Sequence, residues 1–174
     1  MTETLQTQRT TLRRVRYEDW QALMEVWKDF SASPYVFYDK PHPTDEKGAQ
    51  ERVARWALYD LSLDHQFWAV CTKEKLIGYV SMHRGVNGYE MGYGFLTEAQ
   101  GKGYACESIA ALMEYLRQKG VKRIVAGTAI MNAPSVRLLY RLGFVMLAKE
   151  ELSFYRDDAG NEKFFEGGIF ERRL

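Results

Sequence analysis

The chain contains few of the residues that carry redox, metal or secretory chemistry. Of its 174 residues, two are cysteine, three are histidine and four are proline. Cys71 and Cys106 have neither CxxC nor metal-ligand spacing, so we expect no disulfide framework and no metal. Nothing in the N-terminal residues resembles a secretory signal. These absences predict a protein of the reducing cytoplasm.

The chain also lacks a strong charge of either sign and a long apolar run. Its formal net charge is +1 at pH 7, so no global basic field predicts binding to nucleic acid or to an anionic membrane. No apolar run approaches the roughly 18 to 20 residues of a membrane span. Hydrophobic residues make up 46% and charged residues 27%, which is typical of a soluble globular protein. We expect one domain over residues 1–174, with the polar residues 1–8 disordered.

The central feature of the sequence is residues 90–107, which read as a strand, a glycine turn and a helix. An apolar and aromatic run ends at Leu96, and Gln100-Gly101-Lys102-Gly103-Tyr104-Ala105 leads directly into a helical pattern. Such a junction directs unpaired N–H groups and the positive end of the helix dipole at one point. Gly101 and Gly103 remove side chains that would block a close approach. The pattern predicts a phosphate site, although glycines also form turns for structural reasons alone.

Hydrophobic periodicity predicts seven strands and about four helices. The strands cover residues 10–15, 65–72, 75–82, 89–96, 122–128, 144–155 and 162–172. The helices begin near residues 18, 44, 105 and 133. A strand–helix–strand crossover requires the fourth and fifth strands to be parallel, whereas hairpins make the others antiparallel. The sequence therefore predicts an α+β fold with a mixed sheet.

Two blocks of residues resemble the GNAT superfamily of N-acetyltransferases, in its RimJ/RimL-like branch. Gln100-x-x-Gly103-x-Ala105 is similar to the family's acetyl-CoA pyrophosphate loop, and Asn132-x-x-Ser135 followed by Leu142-Gly143-Phe144 is similar to a second family block. The resemblance covers nearly the whole chain. It implies a GNAT fold with a mixed, mostly antiparallel seven-stranded sheet, splayed between the fourth and fifth strands and flanked by about four helices. It also implies an acetyl-CoA-dependent N-acetyltransferase.

The resemblance assigns the cofactor to residues around the glycine turn and the second block. The implied cofactor-binding residues are Phe95, Leu96, Gln100, Gly101, Lys102, Gly103, Tyr104, Ala105, Asn132 and Ser135. The loop would bind the pyrophosphate, and the pantetheine arm would pair with backbone near Phe95 and Leu96. The family's usual oxyanion donor is a backbone N–H in this strand, here near Leu96.

The chemistry implied by the resemblance needs a base and a partner for the leaving thiolate. Attack on a thioester requires a neutral amine. Glu90 occupies the family's carboxylate position and would act directly or through water, with burial beside Met91 and Phe95 raising its pKa; alternatively, it is a solvent-facing strand residue. Many members use a helical tyrosine for the thiolate, but that position is Leu139 here, and Tyr140 is turned from it by about 100°. We therefore expect Ser135 to be the thiolate partner, with Tyr140 as the alternative.

The acceptor side is predicted to lie between the loop of residues 31–43 and the hairpin after Tyr155. Its candidate contacts are Tyr35, Tyr38 and His42, although these aromatic residues could instead pack the loop onto the first two helices. His83 and Tyr93 are further candidates for substrate contact or proton transfer. The acceptor is a protein N-terminus or a small-molecule amine, and the oligomeric state is monomer or homodimer. The alternative function is a non-catalytic acyl-CoA-binding or regulatory module.

Overall fold

The computed structural model describes residues 3–174 and contains one eight-stranded sheet with four α-helices. The strands are β1 (Thr4–Gln6), β2 (Thr11–Arg14), β3 (His65–Cys71), β4 (Leu76–Gly85), β5 (Gly88–Phe95), β6 (Arg123–Ala129), β7 (Val145–Arg156) and β8 (Glu162–Arg173). The helices are α1 (Trp20–Ser31), α2 (Glu46–Ala57), α3 (Tyr104–Gln118) and α4 (Ala133–Arg141). The spatial order of the strands is β1-β2-β3-β4-β5-β6-β8-β7. The predicted mixed α+β fold is confirmed.

The N-terminal residues differ from their prediction. Residues 1–8 were expected to be disordered, yet within the described part Thr4–Gln6 forms β1 and pairs antiparallel with β2, with Leu5 opposite Leu12. Leu5 packs against the main hydrophobic core. One apolar residue in a polar segment gave too weak a periodic signal to reveal this strand, so the sheet has eight strands instead of seven. Residues 1 and 2 of the prediction lie outside the described residues.

The sheet separates two hydrophobic cores because successive side chains of a strand point to opposite faces. One core lies under α3 and α4 and includes the fully buried Trp68 and Phe170. The other lies under α1 and α2 and includes Trp27 and Val53. The two faces of the sheet therefore carry different helices. Groups on both faces can border an opening between two strands.

The sheet opens between β5 and β6, the one parallel pair among the described strands. Their register contains only three pairs, ending at Met91 opposite Ala126, although β5 continues to Phe95 and β6 to Ala129. At the other end the strands are close, because a Cβ on Gly88 would lie 2.1 Å from the carbonyl oxygen of Arg123. The predicted splay between these two strands is confirmed. No helix within residues 3–174 has the length and apolar content needed to cross a bilayer.

Candidate active site

The glycine turn after β5 presents a row of free backbone donors. Gly101 and Gly103 adopt φ values of +71° and +84°, which only glycine adopts readily. Gly103 is the N-cap of α3 and makes no side-chain cap. The N–H groups of residues 101–106 have no hydrogen-bond partner within residues 3–174. Because these donors lie at the positive end of a 15-residue helix, they fit the two phosphates of a pyrophosphate group.

Gln100 connects the glycine turn to the end of β5 through a side-chain hydrogen bond. Its Nε2 donates to the carbonyl oxygen of Phe95 at 3.1 Å, while Gln100 and Lys102 are both exposed at the rim. We call the backbone of residues 101–106 the phosphate nest. The side chain of Gln100 joins the end of β5 to the start of this nest and helps to set the distance between them.

The N–H groups at the end of β5 point alternately toward β4 and toward the gap beside β6. The N–H of Leu96 donates to the carbonyl oxygen of Ile77, near the start of β4, at 2.9 Å. This N–H is therefore not free to bind an oxyanion. Hydrogen-bonding directions alternate along an antiparallel strand. The N–H groups of Tyr93 and Phe95 are therefore directed toward the gap that opens beside β6.

Tyr93 and Ser135 meet on the α4 side of the sheet. The hydroxyl of Tyr93 lies 2.6 Å from Oγ of Ser135, and burial raises the pKa of Tyr93 to about 12. Asn132 caps α4, since its Oδ1 accepts a hydrogen bond from the N–H of Ser135 at 3.3 Å. Tyr93, which we predicted as a candidate for substrate contact or proton transfer, thus lies beside Ser135. Strand alternation sends its side chain to the α3 and α4 face.

The position of Tyr140 agrees with the helical register argued from the sequence. Leu139 is fully buried, whereas Tyr140 is 52% exposed. The ring of Tyr140 packs edge-on against Phe170, with 5.7 Å between ring centres. In the structure, Ser135 contacts the Tyr93 hydroxyl of β5, whereas the ring of Tyr140 packs on Phe170.

Glu90 lies on the opposite face, which carries α1 and α2. Its neighbours Tyr89 and Met91 are buried in the other core, so alternation turns Glu90 away from them, and it is exposed. The burial beside Met91 and Phe95 that we expected is absent, because both of those side chains belong to the other face. Glu90 is opposite His83 in the register of β4 and β5.

His83 is half-buried and lies in a pair of histidines. Its Nδ1 is 3.0 Å from Nδ1 of His65 on β3. Burial, followed by the neighbouring His65, lowers the pKa of His83, while the Glu90 carboxylate acts in the opposite direction. His83 is consequently kept neutral more readily than a free imidazole.

The loop of residues 31–43 packs against the terminal hairpin. A short 3-10 turn, Val36–Tyr38, brings Phe37 to within 5.4 Å of the Tyr155 ring and Tyr38 to within 5.3 Å of Phe165. Tyr35 packs against Tyr38 at 6.4 Å. Tyr35 and Tyr38 therefore lie toward β7 and β8, not on the first two helices. This end of the loop therefore borders the β7–β8 hairpin.

The other end of the loop is fixed by His42. Its ring stacks on Trp27 of α1 at 6.0 Å. Its Nδ1 accepts from Nη1 of Arg52 at 2.8 Å, because a guanidinium only donates. The remaining Nε2 donates to Oδ2 of Asp39 at 2.8 Å. Both ring nitrogens are occupied, which corrects the prediction of His42 as an acceptor contact: it anchors the loop.

Sequence reasoning missed two groups that border the site. Gly92 and Gly94 leave the α1 and α2 face of β5 without side chains, and a Cβ on Gly94 would lie 2.7 Å from the Tyr79 ring. Arg9 contacts Glu107 on α3, 98 residues away in the chain. A GxG alternation in β5 could have signalled the first group. No local pattern signals the second, since only folding brings its members together.

Residues 9–145 match the family model described as an acetyltransferase (GNAT) domain. The chain belongs to the GNAT acetyltransferases. It is 33% identical over 150 residues to the uncharacterized N-acetyltransferase p20 of Bacillus licheniformis, covering 82% of each chain. It is 26% identical to the uncharacterized N-acetyltransferase YnaD of Bacillus subtilis strain 168, covering 79% of each.

Solved structures share the fold at low sequence identity. An acetyl transferase that modifies the N-terminal serine of a 50S ribosomal protein, from Salmonella typhimurium, superposes with a TM-score of 0.85 at 16% identity and covers 99% of each chain. The enzyme RimL in complex with coenzyme A gives 0.82 at 18% identity, covering 99% of this chain and 98% of that one. The predicted GNAT superfamily is confirmed by the family model, and these structures show the shared fold.

Family membership identifies the cosubstrate of the protein. This GNAT protein is an acetyl-CoA-dependent N-acetyltransferase, with acetyl-CoA as cosubstrate. The free donors of residues 101–106 and the gap beside β5 fit a pyrophosphate joined to an extended, peptide-like arm. The acetyl thioester is the group that such a cosubstrate supplies.

Proposed function

We propose that this protein transfers the acetyl group of acetyl-CoA to a primary amine, either a protein N-terminus or a small-molecule amine, by direct attack in a ternary complex. The observation that best supports this proposal is that the sheet opens between β5 and β6, with different functional groups on its two faces. The α3 and α4 face holds the phosphate nest and Ser135, and the α1 and α2 face holds Glu90. Residues 3–174 act in this proposal as one acetyltransferase domain in the cytoplasm.

Glu90 is the proposed base, acting through water. An ammonium has no lone pair, so a proton must leave the amine before attack. Glu90 is exposed, so water can reach its carboxylate and carry the proton to it. Less of the amine has to be deprotonated when the acceptor is already partly neutral at pH 7. An α-amine, with pKa about 7.7 to 8.0, meets this condition better than a lysine-like amine near 10.4. His83, directly opposite Glu90, is the alternative base.

A peptide N-terminus is accordingly the favoured acceptor. The structural neighbour from Salmonella typhimurium modifies the N-terminal serine of a ribosomal protein, which supports the same acceptor class here. A small-molecule amine remains the second acceptor in this proposal.

Ser135 and Tyr93 are the proposed partners of the leaving thiolate. Ser135 lies at the first turn of α4, with its Oγ held 2.6 Å from the Tyr93 hydroxyl. Tyr93 can donate to Ser135 while the serine O–H donates to sulfur, so that two hydroxyls act in series. On the adjacent backbone, the N–H of Phe95 or Tyr93 would stabilise the negative charge that develops on the thioester oxygen.

The acceptor would enter under the loop of residues 31–43. Tyr35 and Tyr38 are retained as proposed contacts, and Asp39 is added to them. The carboxylate of Asp39 is half-exposed and held by His42. Burial, and then the nearby Asp39, raises the pKa of Tyr155 and of the buried Tyr79. The half-exposed charge of Asp39 could attract a cationic amine.

The test is an acceptor screen with acetyl-CoA, read as release of free thiol. Peptides with free N-termini, the same peptides with blocked N-termini, and small amines form the three arms. Release with free but not with blocked peptides supports the proposal. Binding of coenzyme A without thiol release in any arm would contradict it.

A further inference from the structure

A second segment of the chain supports the phosphate nest from outside. The turn between β1 and β2 lies against the first turn of α3. The Glu107 carboxylate accepts hydrogen bonds from Thr7 Oγ1 at 2.6 Å, from the backbone N–H of Arg9 at 2.8 Å and from Nε of Arg9 at 2.7 Å. Three donors on one carboxylate fix the turn to the helix.

The Arg9 guanidinium continues from Glu107 to the nest itself. Its Nη1 donates to the carbonyl oxygen of Lys102 at 2.8 Å. Its Cζ lies 4.7 Å from the centre of the Tyr104 ring. A Cβ on Gly103 would lie 3.1 Å from Nη2. One side chain thus contacts three consecutive residues of the nest.

The contact with Lys102 has a consequence for the next N–H. The peptide bonds of the described chain are trans, so the carbonyl of Lys102 and the N–H of Gly103 point in opposite directions across one plane. Arg9 draws the carbonyl toward β1 and β2. The N–H of Gly103 is therefore held toward the opposite side, as a fixed donor for a bound anion.

Arg9 also compensates a charge that would oppose phosphate binding. Hydrogen bonds from Thr7, and then from Arg9, lower the pKa of Glu107, so this carboxylate is ionised at neutral pH. A carboxylate in the first turn of α3 repels phosphates bound at the same helix end. Pairing with Arg9 reduces that repulsion.

We propose that Arg9 is a positioning residue for the acetyl-CoA phosphates. It orients the Gly103 N–H through the Lys102 carbonyl and neutralises Glu107. It does not touch the reacting atoms, so its effect belongs to cosubstrate binding and not to the chemical step.

The experiment compares Arg9→Ala and Arg9→Lys with the control Arg117→Ala. Arg117 forms a similar two-bond pair with Glu114, at 2.8 Å for each bond, at the far end of the same helix. Coenzyme A is titrated calorimetrically into each full chain, and steady-state kinetics are measured with varied acetyl-CoA. Arg9→Ala should raise Kd for coenzyme A and KM for acetyl-CoA roughly ten-fold, with kcat unchanged. Arg9→Lys should recover part of this, and Arg117→Ala should change neither constant.

A second variant separates orientation from charge. Adding Glu107→Gln to Arg9→Ala should restore part of the lost affinity, because the repelling carboxylate is gone. A folded Arg9→Ala protein whose Kd stays within about two-fold of the wild type would overturn the proposal. So would a fall in kcat at unchanged KM. If Arg9→Ala does not fold, Arg9→Lys with and without Glu107→Gln gives the same comparison.

Discussion

The hydroxyl of Tyr93 lies 2.6 Å from Oγ of Ser135 and joins β5 to the first turn of α4. Because burial raises the pKa of Tyr93 to about 12, the phenol stays protonated at neutral pH. A thiol titrates near 8.5, so its thiolate is too weak a base to remove a proton from this phenol. The pair is therefore expected to stabilise a leaving thiolate by hydrogen bonding. The proton that converts the leaving thiolate to a thiol would have to come from another group.

Ser135→Ala should lower kcat more than Tyr140→Phe does. Loss of a hydrogen bond to a charged sulfur predicts a fall of roughly ten- to a hundred-fold for Ser135→Ala. Tyr140→Phe should change kcat little, since that ring packs on Phe170. Steady-state kinetics at saturating acetyl-CoA make the comparison, and the reverse ranking would refute the assignment of Ser135.

Glu90→Gln should lower kcat/KM roughly a hundred-fold at pH 7, as expected for loss of a general base. The deficit should shrink as the pH approaches the pKa of the acceptor amine, because free amine then needs no base. His83→Gln serves as the comparison, as the nearest alternative base. The assignment fails if His83→Gln causes the larger loss or if the deficit of Glu90→Gln is independent of pH.

Gly101→Ala tests the phosphate nest, with Gly120→Ala as a matched control. Both glycines have positive φ, +71° and +86°, and an added Cβ meets nothing within 4 Å at either position. Each substitution should therefore cost about 1 kcal/mol of stability from backbone strain alone. Only Gly101→Ala should also weaken binding of coenzyme A in a calorimetric titration. Equal affinities for the two variants would argue against the nest as the phosphate site.

Asp39→Asn should raise KM for the acceptor while leaving KM for acetyl-CoA unchanged. The carboxylate is half-exposed and held by His42, so the amide can keep the position without the charge. The effect should weaken as ionic strength rises, because salt screens the attraction of an exposed charge. An unchanged acceptor KM at low salt would remove Asp39 from the acceptor site.

The His65 and His83 pair should make stability depend on pH in mildly acidic solution. The pKa of His83 is lowered from its ordinary value of 6.5, so the folded state favours the neutral imidazole. This contribution is present above pH 6.5 and is lost as the pH falls through the lowered folded-state pKa. Thermal unfolding scanned from pH 7.5 to about 5 should show Tm falling, and His83→Asn should flatten that fall. A wild-type slope equal to that of His83→Asn would contradict the prediction.

Much of the cofactor site could be predicted from local sequence, because its geometry is local. Gly101 and Gly103 lie between a strand and a helix that both have clear periodicity, and positive φ at both follows from glycine itself. The mismatch at Leu139 and Tyr140 also followed from helical geometry and agrees with their burial. Which N–H near Leu96 is free could not be predicted, because the alternation of N–H directions depends on where β5 joins β4.

The sequence by itself determined the order of elements from β2 onward, the parallel crossover and the glycine turn of the candidate phosphate nest, since each depends on periodicity or glycine conformation over a few neighbouring residues. Only the tertiary structure decided which residues face each other across distant segments. In the folded protein, Tyr93 contacts Ser135 and Glu90 is exposed to solvent. Both ring nitrogens of His42 are hydrogen-bonded, and Arg9 is paired with Glu107. These contacts depend on strand register and on long-range packing, which no local pattern specifies.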